Sequence, residues 1–332
     1  MNNLKERVTI YQVAAAAGVS LATVSRVINN SSNVTPETKK KVENAIMNLG
    51  YKPSGLAQAL ATNRSTNIGI IIPSANYVYI SNMLSGINEA ANAKGYVISL
   101  FTTSHSREAA LKTIDKVIVS HVDGAIVFDD ELNEEDISKI TSYSVPAVVI
   151  NNSLIGEKIA SVLFNYDSLL KQVVIDHYAS SDAKPMTFIH VPEGGRLLSR
   201  CEQAFVETHV QLGKAYEILS SDDSYSHTYN DFKEYFMQHK TGFFVCYRDS
   251  VAAAIMNAAT DLGIKVPEEV EVLSLVGTKY AKIVRPTLTA MHIDMEEVGR
   301  RSMYMLSELL NGELKQKTFK LEAALIKRSS TK

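Results

Sequence analysis

Few side chains in this 332-residue sequence stand at spacings that could do covalent chemistry. Cys201 and Cys246 are isolated and fit neither a metal-ligand nor a disulfide pattern. The eight histidines form no ligand pair, and no Ser-His-Asp or Cys-His arrangement stands out. His190, inside an apolar run, reads as a satisfied core residue. No GxGxxG or P-loop occurs, and PEGGRL at 192–197 has glycines at the wrong spacing, so it reads as a loop. The expectation is therefore no enzyme, no metal and no cofactor. What remains is recognition chemistry, concentrated at one end. Residues 1–64 carry eight Lys/Arg against three Asp/Glu, a net +5, whereas the remainder carries 26 against 33, a net −7. A small basic module on an acidic body suits a polyanionic partner. Within that module Arg26 is the one basic residue in the otherwise small and apolar run from Thr9 to Asn30.

Two short helices would have to position it. In TIYQVAAAAGVSLATVSRVINN, Thr9 can cap a helix with Ile10, Val13, Ala14 and Ala17 on its apolar face. Gly18 supplies a turn that needs positive φ. Ser20 can cap a second helix with Val24, Val27 and Ile28 inward. Helix, short turn, helix is the helix-turn-helix arrangement, and the alanines let two steeply crossed helices approach closely. Thr35-Pro36-Glu37 then reads as cap, proline and first-turn acid of a third helix. That helix places Val42, Ala45, Ile46 and Leu49 on one face and Lys39, Lys40 and Lys41 outside.

The run from Thr9 through the helix TPETKKKVENAIMNLG to YKPSGLAQALA resembles, without a gap, the DNA-binding headpiece and hinge of the LacI/GalR family of bacterial transcription regulators. Within it, ATVSRV, VRPTLT and the tail KRSSTK are most similar to the catabolite control protein A branch. The resemblance implies that Leu21 and Ala22 meet base edges and that Arg26 contacts a base or a phosphate. It implies that Thr9, Tyr11, Ser20, Thr23, Ser25 and Asn29 hold phosphates, which set register. Leu60, in the helix-capable hinge Ser54–Ala61, matches the leucine that wedges into the minor groove and kinks the duplex. The usual hinge Asn and Arg are Ser54 and Gln58 here. Tyr11 and Leu21 could instead be packing residues.

From Asn67 onward, apolar strand-like runs (IGIII, YVISLF, GAIVF, PAVVI, MTFIHV, YEIL, GFFVC, EVLSLV) alternate with helix-like ones such as SNMLSGINEAANAKG and SVAAAIMNAATDLG. Buried parallel strands with helical crossovers make a doubly wound α/β architecture. The resemblance implies two such lobes, like periplasmic sugar-binding proteins, with crossovers near Asn165, Ala290 and Leu321. The expected organisation is a headpiece with hinge over 1–64 and a two-lobed core over 65–332 for effector or co-regulator binding and dimerisation.

The cleft between lobes is the default ligand site, and there the sequence departs from sugar-binding relatives. Val276 stands where they carry an acid, and Ser74 replaces the acid after the first strand's proline. The arginine expected after PEGG is either Arg200 in a shifted register or absent. Asp249 keeps its position, but Arg248 precedes it and adds a positive charge near the cleft mouth. A pocket stripped of acceptors should hold neutral sugars weakly, unless residues such as Asn76 or Tyr79 compensate. The branch implies another partner, a serine-phosphorylated phosphocarrier protein docking on the lobe surfaces, with Lys279 and Arg285 as candidate contacts or as ordinary surface charges.

The expected function is a sequence-specific DNA-binding regulator, a repressor of carbohydrate or catabolite-controlled genes that binds a palindromic operator. The alternative is a small-molecule-binding protein of the same fold, responding to a sugar or an anionic metabolite. The tail shows no leucine-heptad helix, which points to a homodimer rather than a tetramer. Met1–Arg7 has no apolar signal core and no apolar run reaches the roughly 18 residues of a span, so no membrane partner and a cytoplasmic location are expected.

Overall fold

The computed structural model describes residues 8–29, 33–52, 65–104, 106–192 and 194–332. It divides into Met1–Thr66 and Asn67–Lys332.

In the first unit, α1 (Ile10–Ala17) ends at Gly18 with φ +65°, α2 (Leu21–Ile28) follows, and the chain turns by 104° between them. Gly18 N–H bonds the Ala15 carbonyl and Val19 N–H the Ala14 carbonyl, the paired bonds of a left-handed helix stop. Ser20 Oγ caps α2 by accepting from Thr23 N–H at 3.2 Å, and Gln12 Oε1 reaches back to Thr9 N–H at 2.8 Å on α1. Thr35 and Pro36 start α3 (Pro36–Leu49). Val13, Ala14, Val24, Val27, Val42 and Ala45 form the core between the three helices. Leu49 departs from its expected inward place and stays 37% exposed. The physical reason is the next turn: Gly50 at φ +64° folds Tyr51 back, its N–H on the Ile46 carbonyl, and the Tyr51 ring fills the core instead.

The second unit holds two six-stranded sheets. The first lobe takes β1 (Asn67–Ile72), β2 (Val97–Thr102), β3 (Gly124–Val127), β4 (Ala147–Ile150), β5 (Ile159–Phe164) and, from the far end of the chain, β11 (Thr318–Leu321). Its order is β11-β5-β4-β3-β1-β2, all parallel. The second lobe takes β6 (Met186–His190), β7 (Tyr216–Ser220), β8 (Gly242–Arg248), β9 (Val270–Val276), β10 (Thr289–His292) and β12 (Ala324–Ile326). Its order is β12-β10-β9-β8-β6-β7, with only β12 antiparallel. Helices α4 (Val78–Ala93), α5 (Arg107–Val119) and α6 (Glu134–Ser142) connect the first lobe. Helices α7 (Tyr166–Tyr178), α8 (Gly195–Leu212), α9 (Tyr225–Gln238), α10 (Asp249–Asp261) and the short α11 (Tyr280–Ile283) belong to the second, and α12 (Met295–Asn311) returns to pack on α4.

The chain crosses between lobes after Phe164, between His292 and Met295, and between Leu321 and Ala324. Ala290 itself lies inside β10, so the second crossing comes a few residues later than expected. The α4–α12 contact is unusually close. A Cβ on Gly86 would run into the Glu296 carbonyl, and one on Gly299 into the Met83 carbonyl. Small residues on α10 serve the sheet: Val251 through Met256 are all buried within this one chain. β5 is missing from the strand-like runs because Ala160 and Ser161 dilute its apolar signal; the Ser161 hydroxyl is satisfied inside by the Leu154 carbonyl.

Candidate nucleic-acid interface and cleft

An α-helix advances about 100° per residue, which sorts α2 into two arcs. Val24 and Val27 are buried and Thr23 and Ile28 half-buried, together on one side. Leu21, Ser25, Asn29, Ala22 and Arg26 occupy the other as one contiguous strip, exposed except for half-buried Ser25. Leu21 at 37% and Tyr11 at 68% exposure lie outside the packed core of the headpiece. Thr9 and Ser20 are exposed at the helix starts. The Ser20 hydroxyl lies 2.9 Å from Thr23 Oγ1, and Asn29 Nδ2 reaches Ser25 Oγ at 3.5 Å. Among the described residues no hydrogen bond or ion pair engages Arg26. The arrangement offers one guanidinium flanked by two apolar groups, with hydroxyl and amide donors at its edges, the mixture that base edges and phosphates call for. Ser54, Gln58 and Leu60 lie outside the described residues.

The second candidate site is a cleft of about 660 Å³ between the lobes of the core. Its walls are the carboxyl ends of strands: Pro73 after β1, Asp129–Glu131 after β3, Asn151 after β4, Pro192 after β6, Tyr247 and Arg248 on β8, and Val276 on β9. This is where open α/β sheets bind ligands. Of the residues expected there, Tyr79, Arg248, Val276 and Arg200 line it. Tyr79 meets the Phe128 ring edge-on, and burial pushes its hydroxyl pKa up to about 12.

The other expected residues do different work. Ser74 Oγ accepts from Asn76 N–H at 3.2 Å in a local turn and does not line the cleft. Asp249 is buried at the start of α10, where Oδ2 takes Thr278 N–H at 2.8 Å and Thr278 Oγ1 at 2.6 Å; it braces the loop after β9. Lys279 is exposed, its ammonium 5.7 Å from the Tyr280 ring centre. Arg285 Nη1 donates to the carbonyls of Lys282, Ile283 and Val284 and so closes α11. Arg248 is not a free charge at the cleft mouth. It pairs with Asp223 and lies over the Tyr77 and Tyr247 rings, 4.3 and 4.8 Å from their centres. His190 is satisfied through Glu202 at 2.6 Å, though half-exposed rather than core.

The cleft is also not stripped of acceptors. Asp129 is buried, accepts from Thr103 Oγ1 and takes Glu131 N–H on Oδ1 at 2.8 Å; burial pushes its carboxyl pKa up. Asp130 and Asn151 add two more acceptors, and Arg196 and Arg200 face them. The signal was present in the sequence: the acid triplet of IVFDDE follows directly on a buried strand, at its carboxyl end. Among the described residues no cluster of His, Cys, Asp and Glu is arranged to hold a metal, and no single helix is long and apolar enough to cross a membrane.

Comparison with known proteins places both units. Residues 9–54 match the profile of bacterial regulatory proteins of the lacI family, and residues 175–331 that of a periplasmic binding protein-like domain. Catabolite control protein A of Staphylococcus epidermidis is 30% identical over 313 residues, covering 92% of this chain and 93% of that protein. The protein of the same name from Staphylococcus xylosus is 29% identical over 314 residues, with the same coverage. Among solved structures, the lac repressor dimer bound to operator and the anti-inducer ONPF superposes with a TM-score of 0.85 at 24% identity, over 98% of this chain and 99% of its own. The transcription regulator CcpA of Lactococcus lactis gives 0.68 at 22%, over 80% and 99%.

Proposed function

The chain belongs to the LacI family of bacterial regulatory proteins, DNA-binding regulators of transcription, and we propose that it represses carbohydrate or catabolite-controlled genes by binding a palindromic operator as a homodimer. The observation that carries this reading is the exposed strip on α2. Leu21, Ala22 and Arg26 project from a helix whose opposite side is locked into a core, at a 104° turn from its neighbour. A helix so held can enter a major groove with its first turn at the base edges. In this reading Leu21, Ala22 and Arg26 read bases, while Thr9, Tyr11, Ser20, Thr23, Ser25 and Asn29 hold phosphates. Leu60 is the minor-groove wedge. Two copies related by a two-fold axis then match two half-sites. Cytoplasmic location follows from a DNA partner.

The test is fluorescence anisotropy with a symmetric operator of the family, a half-site and a scrambled duplex at one fixed salt concentration, paired with sedimentation equilibrium. Expected is a dimer that prefers the full operator over the scrambled duplex by roughly 10³-fold or more. Equal affinity for all three duplexes refutes specific recognition, and a tetramer at micromolar concentration refutes the dimer.

The cleft supports a second reading, a small-molecule response. Its aromatic walls and the acceptors Asp129, Asp130 and Asn151 suit a polar ligand more than the sequence suggests. Arg248, already neutralised by Asp223, gives no preference for an anion. A serine-phosphorylated phosphocarrier protein remains the proposed surface partner, with Lys279 the more available of the two candidate cations because Arg285 is committed to carbonyls. Calorimetric titration with sugars, sugar phosphates and the phosphorylated carrier separates these: heat from the carrier alone favours the co-regulator.

A further inference from the structure

The lobes of the core touch across the cleft through the chain's own polar groups. Asp130, just past β3 in the first lobe, places Oδ2 at the start of α8 in the second, accepting from Arg196 N–H at 2.8 Å. The Arg196 side chain returns the contact, Nη2 donating to the Leu132 carbonyl at 3.0 Å. One turn along α8, Arg200 Nη2 donates to Asn151 Oδ1 at 2.7 Å. The start of α8 is shaped for that carboxylate. Gly195 has φ +74°, and a Cβ there would stand 3.2 Å from Asp130 Cγ and closer still to Oδ2. The first turn of a helix carries partial positive charge on its unpaired N–H groups, which favours an anion there.

We propose that Asp130 is a tethered anion, a first-lobe carboxylate seated on the start of α8 that, with the Arg196–Leu132 and Arg200–Asn151 contacts, latches the cleft closed. The latch is built from residues of one chain, so closure does not draw on a bound molecule for its cross-lobe bonds. A ligand changes the lobe equilibrium only by favouring one arrangement over the other, and here it competes with Asp130 for the α8 terminus. The inference concerns lobe separation alone and stands or falls independently of DNA binding.

Single-molecule energy transfer tests it on the full chain. Native Cys201 and Cys246 are buried, so dyes go on Glu135→Cys and Gln211→Cys, exposed positions on opposite lobes. Protein dialysed free of small molecules is expected to show mainly one high-transfer population. Asp130→Ala lowers the closed-to-open ratio about tenfold or more, and Asp130→Ala with Arg200→Ala about a hundredfold, as losses of charge-assisted bonds predict. Gly195→Ala, which crowds the carboxylate and keeps its charge, shifts the ratio the same way. Asn151→Ala tests the second arm without touching the acid. A wild-type chain that is mainly open overturns the latch. So do variants that keep the wild-type distribution.

Discussion

Arg26→Ala removes a guanidinium that the folded headpiece does not use. Arg26 is exposed, no hydrogen bond or ion pair among the described residues engages it, and the core beneath is made by Val24 and Val27. Its loss should therefore change stability by no more than about 0.5 kcal/mol, as for other unengaged surface positions. Operator binding should weaken by roughly 1–3 kcal/mol if the fork reads a base edge, which is about 5- to 150-fold in Kd. The scrambled duplex, held through phosphates, should lose far less. Arg26→Lys sharpens the reading. It keeps the charge but not the fork, so a base contact is lost almost as fully as in the alanine variant, whereas a phosphate contact largely survives. Salt titration gives a second axis: removing a phosphate contact lowers the slope of log K against log salt by about one, and removing a base contact leaves it. The assay is anisotropy on both duplexes at several salt concentrations, with thermal melting of each variant. Arg26→Ala that melts as wild type and binds both duplexes as wild type refutes the placement of this residue in the groove.

Three further outcomes are expected. Leu60→Ala reduces the operator's bend and its specific affinity while sparing non-specific binding; an unchanged angle in a circular-permutation assay rules out the wedge. Gly299→Ala forces α12 away from the Met83 carbonyl and costs about 1–3 kcal/mol as overpacking, read from urea midpoints, where no shift would contradict the close crossing. His209 is fully buried, its Nδ1 bonded to the Phe205 carbonyl at 2.7 Å and its Nε2 among rings, and burial holds its pKa below the usual value. The unfolded chain therefore takes up this proton first, so stability falls as pH drops below about 6.5. His209→Phe should flatten that acid limb in denaturation series from pH 8 to pH 5, and an equally steep limb would show that His209 is not its source.

The headpiece was legible almost residue by residue, because its signals are local. Caps at Ser20 and Thr35, the positive-φ glycine and the apolar period each sit within one turn of what they control. The place of Leu49 is not legible, because periodicity continues a helix face and carries no sign that Tyr51 folds back to fill it. The alternation of strands and helices in the core was legible for the same local reason. The cleft was not, because its character depends on which strand ends meet across two sheets. Position by position, the sequence lacks acids at Ser74 and Val276. The acids had come from the end of β3, a different strand of the same rim. In the sequence Arg248 looks like a free charge because its partner Asp223 lies on another loop, 25 positions earlier.

The three crossings between lobes also set an order of assembly during synthesis. β5 of the first lobe is complete at Phe164, yet its edge partner β11 begins only at Thr318, and α12, which seals α4, comes just before. The 153 residues in between build the whole sheet of the second lobe except β12. At a translation rate of about 5–20 residues per second, the first lobe waits roughly 8–30 s with β5 unpaired on one side and the glycine face of α4 uncovered. An open strand edge is a template for pairing with other chains. The nascent first lobe is thus the stage at which this protein is most exposed to misassembly, and a chain ended before residue 318 would hold it there permanently.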